Sequence, residues 1–244
     1  GNLYINSDNN TTLDMAANDA NLTLTGTITI NPGSNINWGT NNATLYHIGG
    51  EWNVDGDITT FNNIVLQGSN RKWINSNLSI NGNMTVQNGV ELRMCRWYDG
   101  NFPYTINCTG SGKIFTVQDG GSVYNYTPVA TAVAFPTGFA TYTLGTGSYV
   151  YLAAPNTVDQ LLYSVPRYGN ITFNNTKNVT SDGAQTFTCE GYLNMGYCTF
   201  IDSGRDIVIG GTPNYITYYV PSSLARTITF NGVTQAFYDN VENV

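Results

Sequence analysis

The residues of this chain with types suited to chemistry form small, scattered groups. His47 is the only histidine, so zinc sites built on two histidines are excluded and a histidine-dependent triad has one member to offer. Its setting between Tyr46 and Ile48, inside an alternating run, marks a stacked or turn-adjacent histidine and not a catalyst. Asp55 and Asp57 flank Gly56. They are the one candidate calcium position, yet two carboxylates fall short of the about six to eight oxygens that ion takes, and an Asp-Gly turn accounts for them. Asp202, Arg205 and Asp206 crowd the turn after Phe200-Ile201 and read as a surface ion pair. A polysaccharide lyase or hydrolase would need Asp55, Asp57, Glu91, Asp119 and Asp206 to converge from distant parts of the chain. No Gly-x-Ser-x-Gly elbow and no phosphate-binding loop occurs.

The segment from Arg96 to Tyr104 is different in kind. Trp97, Tyr98, Phe102 and Tyr104 surround an Asp-Gly-Asn turn, and they form a candidate sugar-stacking platform on which Asp99 and Asn101 bind hydroxyls. The competing reading is a folded-over loop whose aromatics cap the apolar edge of the fold. Tyr215, Tyr218 and Tyr219 pose the same question further along. The four cysteines, Cys95, Cys108, Cys189 and Cys198, contain no CxxC pair. Their spacing suits either loop-closing disulfides or inward-pointing thiols. Cys189 and Cys198 sit in apolar alternating runs and read as free core thiols, whereas Cys95 and Cys108 flank a loop and are the better disulfide pair.

Such side chains act only where the fold places them, and the fold is written in period two. Leu22-Thr-Leu-Thr, Leu78-Ser-Ile and Met84-Thr-Val alternate apolar with Thr or Ser, the signature of strands, and Ile114-Phe-Thr-Val and Ile207-Val-Ile are short apolar runs of strand length. Asn81-Gly82, Asn88-Gly89 and Gly120-Gly121 punctuate them as turns. Only Thr157 to Tyr163 has a helical look, and it is one turn long. The chain also repeats itself: Phe61-Asn-Asn-Ile-Val-Leu66 matches Tyr168-Gly-Asn-Ile-Thr-Phe173, Leu45-Tyr-His-Ile-Gly-Gly50 echoes Asp206-Ile-Val-Ile-Gly-Gly211, and Phe237-Tyr-Asp-Asn-Val241 opens a third copy. Gly26, Gly56, Gly82 and Gly112 recur at nearly even intervals. That beat selects an all-β parallel β-helix, or solenoid, with rungs of about 20–30 residues, over a sandwich or a barrel. Stacking at roughly 4.8 Å would then set Thr on Thr and Asn on Asn in ladders. Residues 1–97 read as solenoid rungs, 98–163 as irregular rungs or a loop insert rich in proline and alanine, and 164–244 as rungs running into a further repeat. Arg71-Lys72 reads as a turn.

Composition narrows the function classes. Of 244 residues only 10% are charged, against about 25% in ordinary soluble domains, so the surface is hydroxyl and amide. A net charge of −7 offers no footprint for a phosphate backbone and excludes nucleic acid as a partner. No apolar run reaches the roughly 18 residues that span a bilayer, so no membrane insertion is expected. Asn-x-Ser/Thr triplets such as Asn21-Leu-Thr follow from composition. The ends, opening almost directly in a strand pattern and closing inside a repeat, read as those of a fragment of a longer polypeptide.

Tyr168-Gly-Asn-Ile-Thr-Phe-Asn-Asn-Thr, Gly191-Tyr-Leu-Asn-Met, Asp206-Ile-Val-Ile-Gly-Gly and Leu45-Tyr-His-Ile-Gly-Gly-Glu-Trp-Asn-Val-Asp-Gly56 resemble the repeats of very large secreted surface proteins of Bacteroidota. The resemblance covers most of residues 20–95 and 165–244. It implies a parallel β-solenoid stalk in an adhesin-like or filament-forming protein, exported to the cell surface or the extracellular space, commonly by the type IX route. The resulting expectation is a non-catalytic structural or adhesive segment without cofactors, meeting glycans or surfaces and able to associate end to end. A carbohydrate-binding β-helix module is the alternative, and a polysaccharide lyase or hydrolase the third.

Overall fold

A computed structural model describes residues 1–5, 11–26, 28–30, 34–39, 43–49, 54–56, 60–74, 76–94, 104–126, 135–154, 159–164, 166–174, 177–195, 198–201, 203–211, 215–216, 218–220, 228–230 and 236–237. Every strand pairing among them is parallel, and each strand pairs with strands two or three places away in chain order. That pattern is a parallel β-solenoid with three faces per turn. The described strands complete ten turns, and Ala236–Phe237 opens an eleventh. The first face begins with Leu3–Ile5, Ile28–Ile30 and Val54–Gly56 and continues as an eight-stranded sheet from Asn70–Trp73 to Ala236–Phe237. The second face holds strands such as Leu78–Ile80 and Ile106–Cys108. The third holds Leu22–Leu24, Thr44–His47, Asn63–Leu66, Met84–Val86, Ile114–Val117 and Thr141–Leu144, paired in that order. Rungs are unequal in length. On the first face Leu3 pairs with Ile28, Asn70 with Val90, Glu91 with Ser122 and Tyr149 with Asn170, so the loops at the corners absorb the difference while the strands keep register.

Alternation decides what each rung buries. On the third face Leu24, His47, Leu66, Val86, Val117 and Leu144 are successive partners pointing inward, and all are buried. On the first face the corresponding column is Lys72, Leu92, Val123, Val150, Ile171 and Leu193. Each buried aliphatic side chain contributes about 1.5–3 kcal/mol relative to exposure, so these columns drive the coil closed. On the outer side of the third face, Thr85, Thr116 and Thr143 stand in register, the expected threonine ladder.

Asparagine does something other than stack on itself. Asn63 Oδ1 accepts the Asn83 N–H at 2.8 Å, Asn83 Oδ1 accepts the Ile114 N–H at 2.9 Å, and Asn77 Oδ1 accepts the Thr105 N–H at 2.8 Å. Asn21 does the same for Thr44, and Asp119 for Gly147. In each case the side chain of one rung bonds to backbone of the next, where the chain turns a corner and the strand ladder is interrupted. Phe61-Asn62-Asn63 and Tyr168-Gly169-Asn170 are the same device: the aromatic is buried, and the Asn two residues on bonds upward, Asn170 to the Tyr192 N–H at 2.8 Å. The following rung must then carry glycine. A Cβ at Gly191 would stand 2.5 Å from Asn170 Oδ1 and 2.6 Å from the Gly169 carbonyl oxygen.

The phase of the repeat differs from the sequence reading. The Phe61 copy leads into Asn63–Leu66 on the third face, whereas the Tyr168 copy leads into Asn170–Asn174 on the first. The repeated motif is therefore a corner and not a whole number of rungs. The glycine beat is likewise mixed in phase: Gly26 precedes a first-face strand, Gly56 ends one, and Gly82 and Gly112 precede third-face strands. Arg71 and Lys72 lie in the strand Asn70–Trp73 and not in a turn, because Lys72 takes an inward position. Gln160–Leu162 is a strand paired with Asn178–Ser181, and the one helical piece among the described residues is the 3-10 turn Ala16–Asn18. The repeat copy at residues 238–241 lies outside the described residues.

Strands also run through residues 104–126 and 135–154, with register carried from Val90–Arg93 through Ser122–Tyr126 and Tyr149–Ala153 to Asn170–Asn174. In one rung here the second-face strand shrinks to a single bridge between Asn107 and Thr137. Cys108 is a free thiol that donates toward the Gly82 and Gly110 carbonyls, which replaces the expected pairing with Cys95; Cys95 itself lies outside the described residues. Cys189 and Cys198 are free and buried, as expected.

Replacing Asn170 with Ala removes three hydrogen bonds, to Tyr192 N–H and to the Thr146 and Ser148 carbonyls, and should cost about 2–3 kcal/mol in urea denaturation. Gly191→Ala should cost about 1–3 kcal/mol by crowding the same amide. Unchanged midpoints for both variants would refute the corner device.

Candidate functional site

Of the sequence-derived platform, Trp97, Tyr98, Asp99, Asn101 and Phe102 lie outside the described residues. Tyr104 is described: it is half-buried against the core, and its N–H donates to the Met94 carbonyl at 2.9 Å. Met94 directly follows the first-face strand Val90–Arg93, so the flanks of 95–103 meet at the corner between the first and second faces. The outer surface of that first face carries the most distinctive side-chain array among the described residues.

Two columns of side chains point outward there. In one, Trp73, Arg93, Tyr124 and Tyr151 are successive register partners. The Arg93 guanidinium carbon lies 4.6 Å from the ring centroid of Trp73 and 4.6 Å from that of Tyr124, a double cation–π contact. Tyr124 and Tyr151 follow at 6.2 Å between centroids. In the other column Arg71, Glu91, Ser122 and Tyr149 are partners. Glu91 pairs with Arg93, and with Arg71 at 3.4 Å. Tyr149 and Tyr151, two residues apart on one strand, hold their rings parallel to within 11° at 6.0 Å between centroids. Burial, with the neighbouring Tyr149, Glu91 and Tyr192, pushes the Tyr151 phenol above its usual pKa. The arrangement can offer ring surfaces, hydroxyls, a carboxylate and guanidinium groups on one rigid surface.

Other candidates are not brought together. Glu91 is held by arginines, Asp119 by the Gly147 N–H, and Asp206 lies four rungs beyond Glu91 on another corner. Arg205 donates to the Gly183 carbonyl at 2.9 Å; Asp202 lies outside the described residues. Asp55 is placed only by its backbone, in Val54–Gly56, and Asp57 falls outside. Among the described residues no cluster of three or more His, Cys, Asp or Glu is assembled. Tyr215, Tyr218 and Tyr219 occupy paired strand positions. A cavity of about 270 Å³ opens where the second-face strand is lost, walled by Phe135, Phe139, Tyr142, Tyr163 and two prolines. Its Tyr142 hydroxyl is committed to the Pro136 carbonyl at 2.9 Å.

Two polar side chains interrupt the apolar columns inside. His47 is fully buried, and its Nε2 lies 2.8 Å from the Gly26 carbonyl oxygen, which places the proton on Nε2. Lys72 is also fully buried, and its ammonium donates to the Gly49 carbonyl. Burial lowers His47 to about 4, reinforced by the Lys72 charge and opposed by the Gly26 hydrogen bond; burial alone lowers Lys72 to about 8. His47 thus works in the interior as a neutral donor, consistent with its reading as a stacked histidine.

Comparison of the chain with protein-family models, curated proteins and solved structures returned no match.

The unfolded chain protonates His47 near 6.5 and the folded chain near 4, so stability present above pH 6.5 falls as pH drops from 6.5 to 4. Lys72 has the same sense at higher pH: the unfolded chain retains its proton between 8 and 10.5 while the folded chain releases it, so stability rises across that window. Thermal melts should show His47→Gln flattening only the acid limb relative to the parent, and Lys72→Met flattening the alkaline limb while also softening the acid limb, because the Lys72 charge helps to lower His47. Parallel profiles for parent and variants would contradict these assignments.

Proposed function

We propose that this chain is a non-catalytic structural and adhesive segment of a bacterial cell-surface or extracellular filament protein, of the kind its repeats resemble in the large secreted proteins of Bacteroidota. The observation that carries this reading is the parallel register, passed from rung to rung across the described chain. In such a coil each rung is stabilised by its two neighbours, so length can be added without redesigning a core. That is the mechanical requirement of a shaft. The low charge and the Asn corners serve the same end, since polar groups are satisfied along the axis and few ionic groups are needed.

Partners of a shaft meet it from the side or at its ends. Glycans or solid surfaces would contact the faces, and copies of the chain would stack where strand edges are open. The nearest alternative among enzymes, an acid/base polysaccharide site, requires converging carboxylates, and the described ones are held apart or engaged.

Solution scattering should give a rod roughly 50 Å long, the length of about ten rungs at ~4.8 Å each. Incubation with pectin, alginate and xylan should release neither reducing ends nor unsaturated products. A compact globule, or product release that Glu91→Gln abolishes, would overturn the proposal.

A further inference from the structure

Resting on the adhesive role proposed above, we infer that the outer surface of the first face binds an extended, β-linked polysaccharide bearing carboxylates, laid along the coil axis. Carbohydrate recognition needs apolar plates for the C–H faces of a sugar ring and fixed polar groups for its hydroxyls. Tyr149 and Tyr151 supply a stacked pair of near-parallel rings as the apolar surface, with Tyr149 39% exposed. On the next rung their partners are the short Asn170 and Thr172. Asn170 is drawn into the ladder by its bonds to the Thr146 and Ser148 carbonyls and to Tyr192 N–H, so no bulky side chain stands against the ring pair in that rung.

The polar groups stand on the other side of the ring pair, and they are already fixed. Arg93, only 12% exposed, is clamped between Trp73 and Tyr124 and tied to Glu91, so little side-chain entropy remains to be lost on binding. Arg71 is 60% exposed and shares the same carboxylate. Among the described residues of these columns two guanidinium groups stand against one carboxylate, a local excess of positive charge in a chain whose net charge is −7 with nine basic residues. A planar guanidinium is suited to bidentate contact with a carboxylate, which selects a uronate over a neutral sugar. The rungs repeat at ~4.8 Å, close to the advance of one pyranose unit in an extended β-1,4 chain, so successive sugars meet successive rungs.

The test uses two hexamers that differ only at C6, β-1,4-linked glucuronate and cellohexaose, titrated calorimetrically into the whole chain. The glucuronate hexamer should bind saturably, and about tenfold more tightly than cellohexaose. Tyr151→Ala should weaken binding of both by roughly five- to tenfold, with Tyr149→Ala, at the more exposed ring, as the second variant if the first fails to fold. Arg71→Gln should weaken glucuronate alone and reduce its salt dependence. Binding of neither hexamer, equal affinity for the two, or glucuronate affinity unchanged by both the tyrosine and arginine variants would overturn the inference.

Discussion

Every rung of this coil must satisfy its backbone through the rungs on either side, and the rest of the structure follows from that one constraint. Along the faces the parallel ladder does this without help from side chains. At the corners it cannot, because the chain leaves strand geometry and its N–H groups face a neighbour that is also turning. Asn21, Asn63, Asn77, Asn83 and Asn170 reach across one rung spacing to take those donors. A short carboxamide is the right length for the gap, and it brings no charge to be desolvated. At Asn63 and Asn170 the glycine of the next rung, Gly82 and Gly191, is the other side of the same contact.

Inside, the same stacking turns sequence alternation into continuous apolar columns, and it explains how His47 and Lys72 can be accommodated. Each finds a carbonyl at a glycine corner, Gly26 and Gly49, where the tight approach of successive turns leaves a backbone acceptor pointing inward. Outside, stacking brings together residues about a rung apart in sequence, and so it builds the Trp73, Arg93, Tyr124 and Tyr151 column from four separate strands. Stability and surface chemistry therefore share one axis: Arg93 strengthens the stack of rungs while also presenting a charged surface.

The fold class was legible because period-two alternation and Asn-Gly turns are local signals, and because the chain repeats itself, even though the recurring glycines hold different positions on the coil. Phase was not legible. The Phe61 and Tyr168 motifs match as letters, yet they turn different corners, since the same Asn-over-Gly contact solves any corner of the coil. In the sequence Lys72 reads as part of a turn because a charged residue beside Arg71 looks solvent-facing, and only the register with Leu92 reveals its inward position. Gln160–Leu162 looked helical because its short apolar run carries too few residues to show a period. The outward aromatic column escaped for a related reason: the steps from Trp73 to Arg93, from Arg93 to Tyr124 and from Tyr124 to Tyr151 all differ in length. Unequal steps hide a ladder from any fixed-period reading. The aromatic segment at 97–104 stood out instead because its residues are contiguous.

The register itself is open to direct measurement by cross-linking. Thr85, Thr116 and Thr143 point outward on three successive rungs of the third face. Adjacent rungs at ~4.8 Å fall within the separation a disulfide can bridge, whereas two rungs do not. Under mild oxidation, with the bond mapped by mass spectrometry, the Thr85→Cys/Thr116→Cys variant should close its disulfide readily and the Thr85→Cys/Thr143→Cys variant should not. Failure of the first pair, or equal closure of both, would contradict a parallel coil in this register.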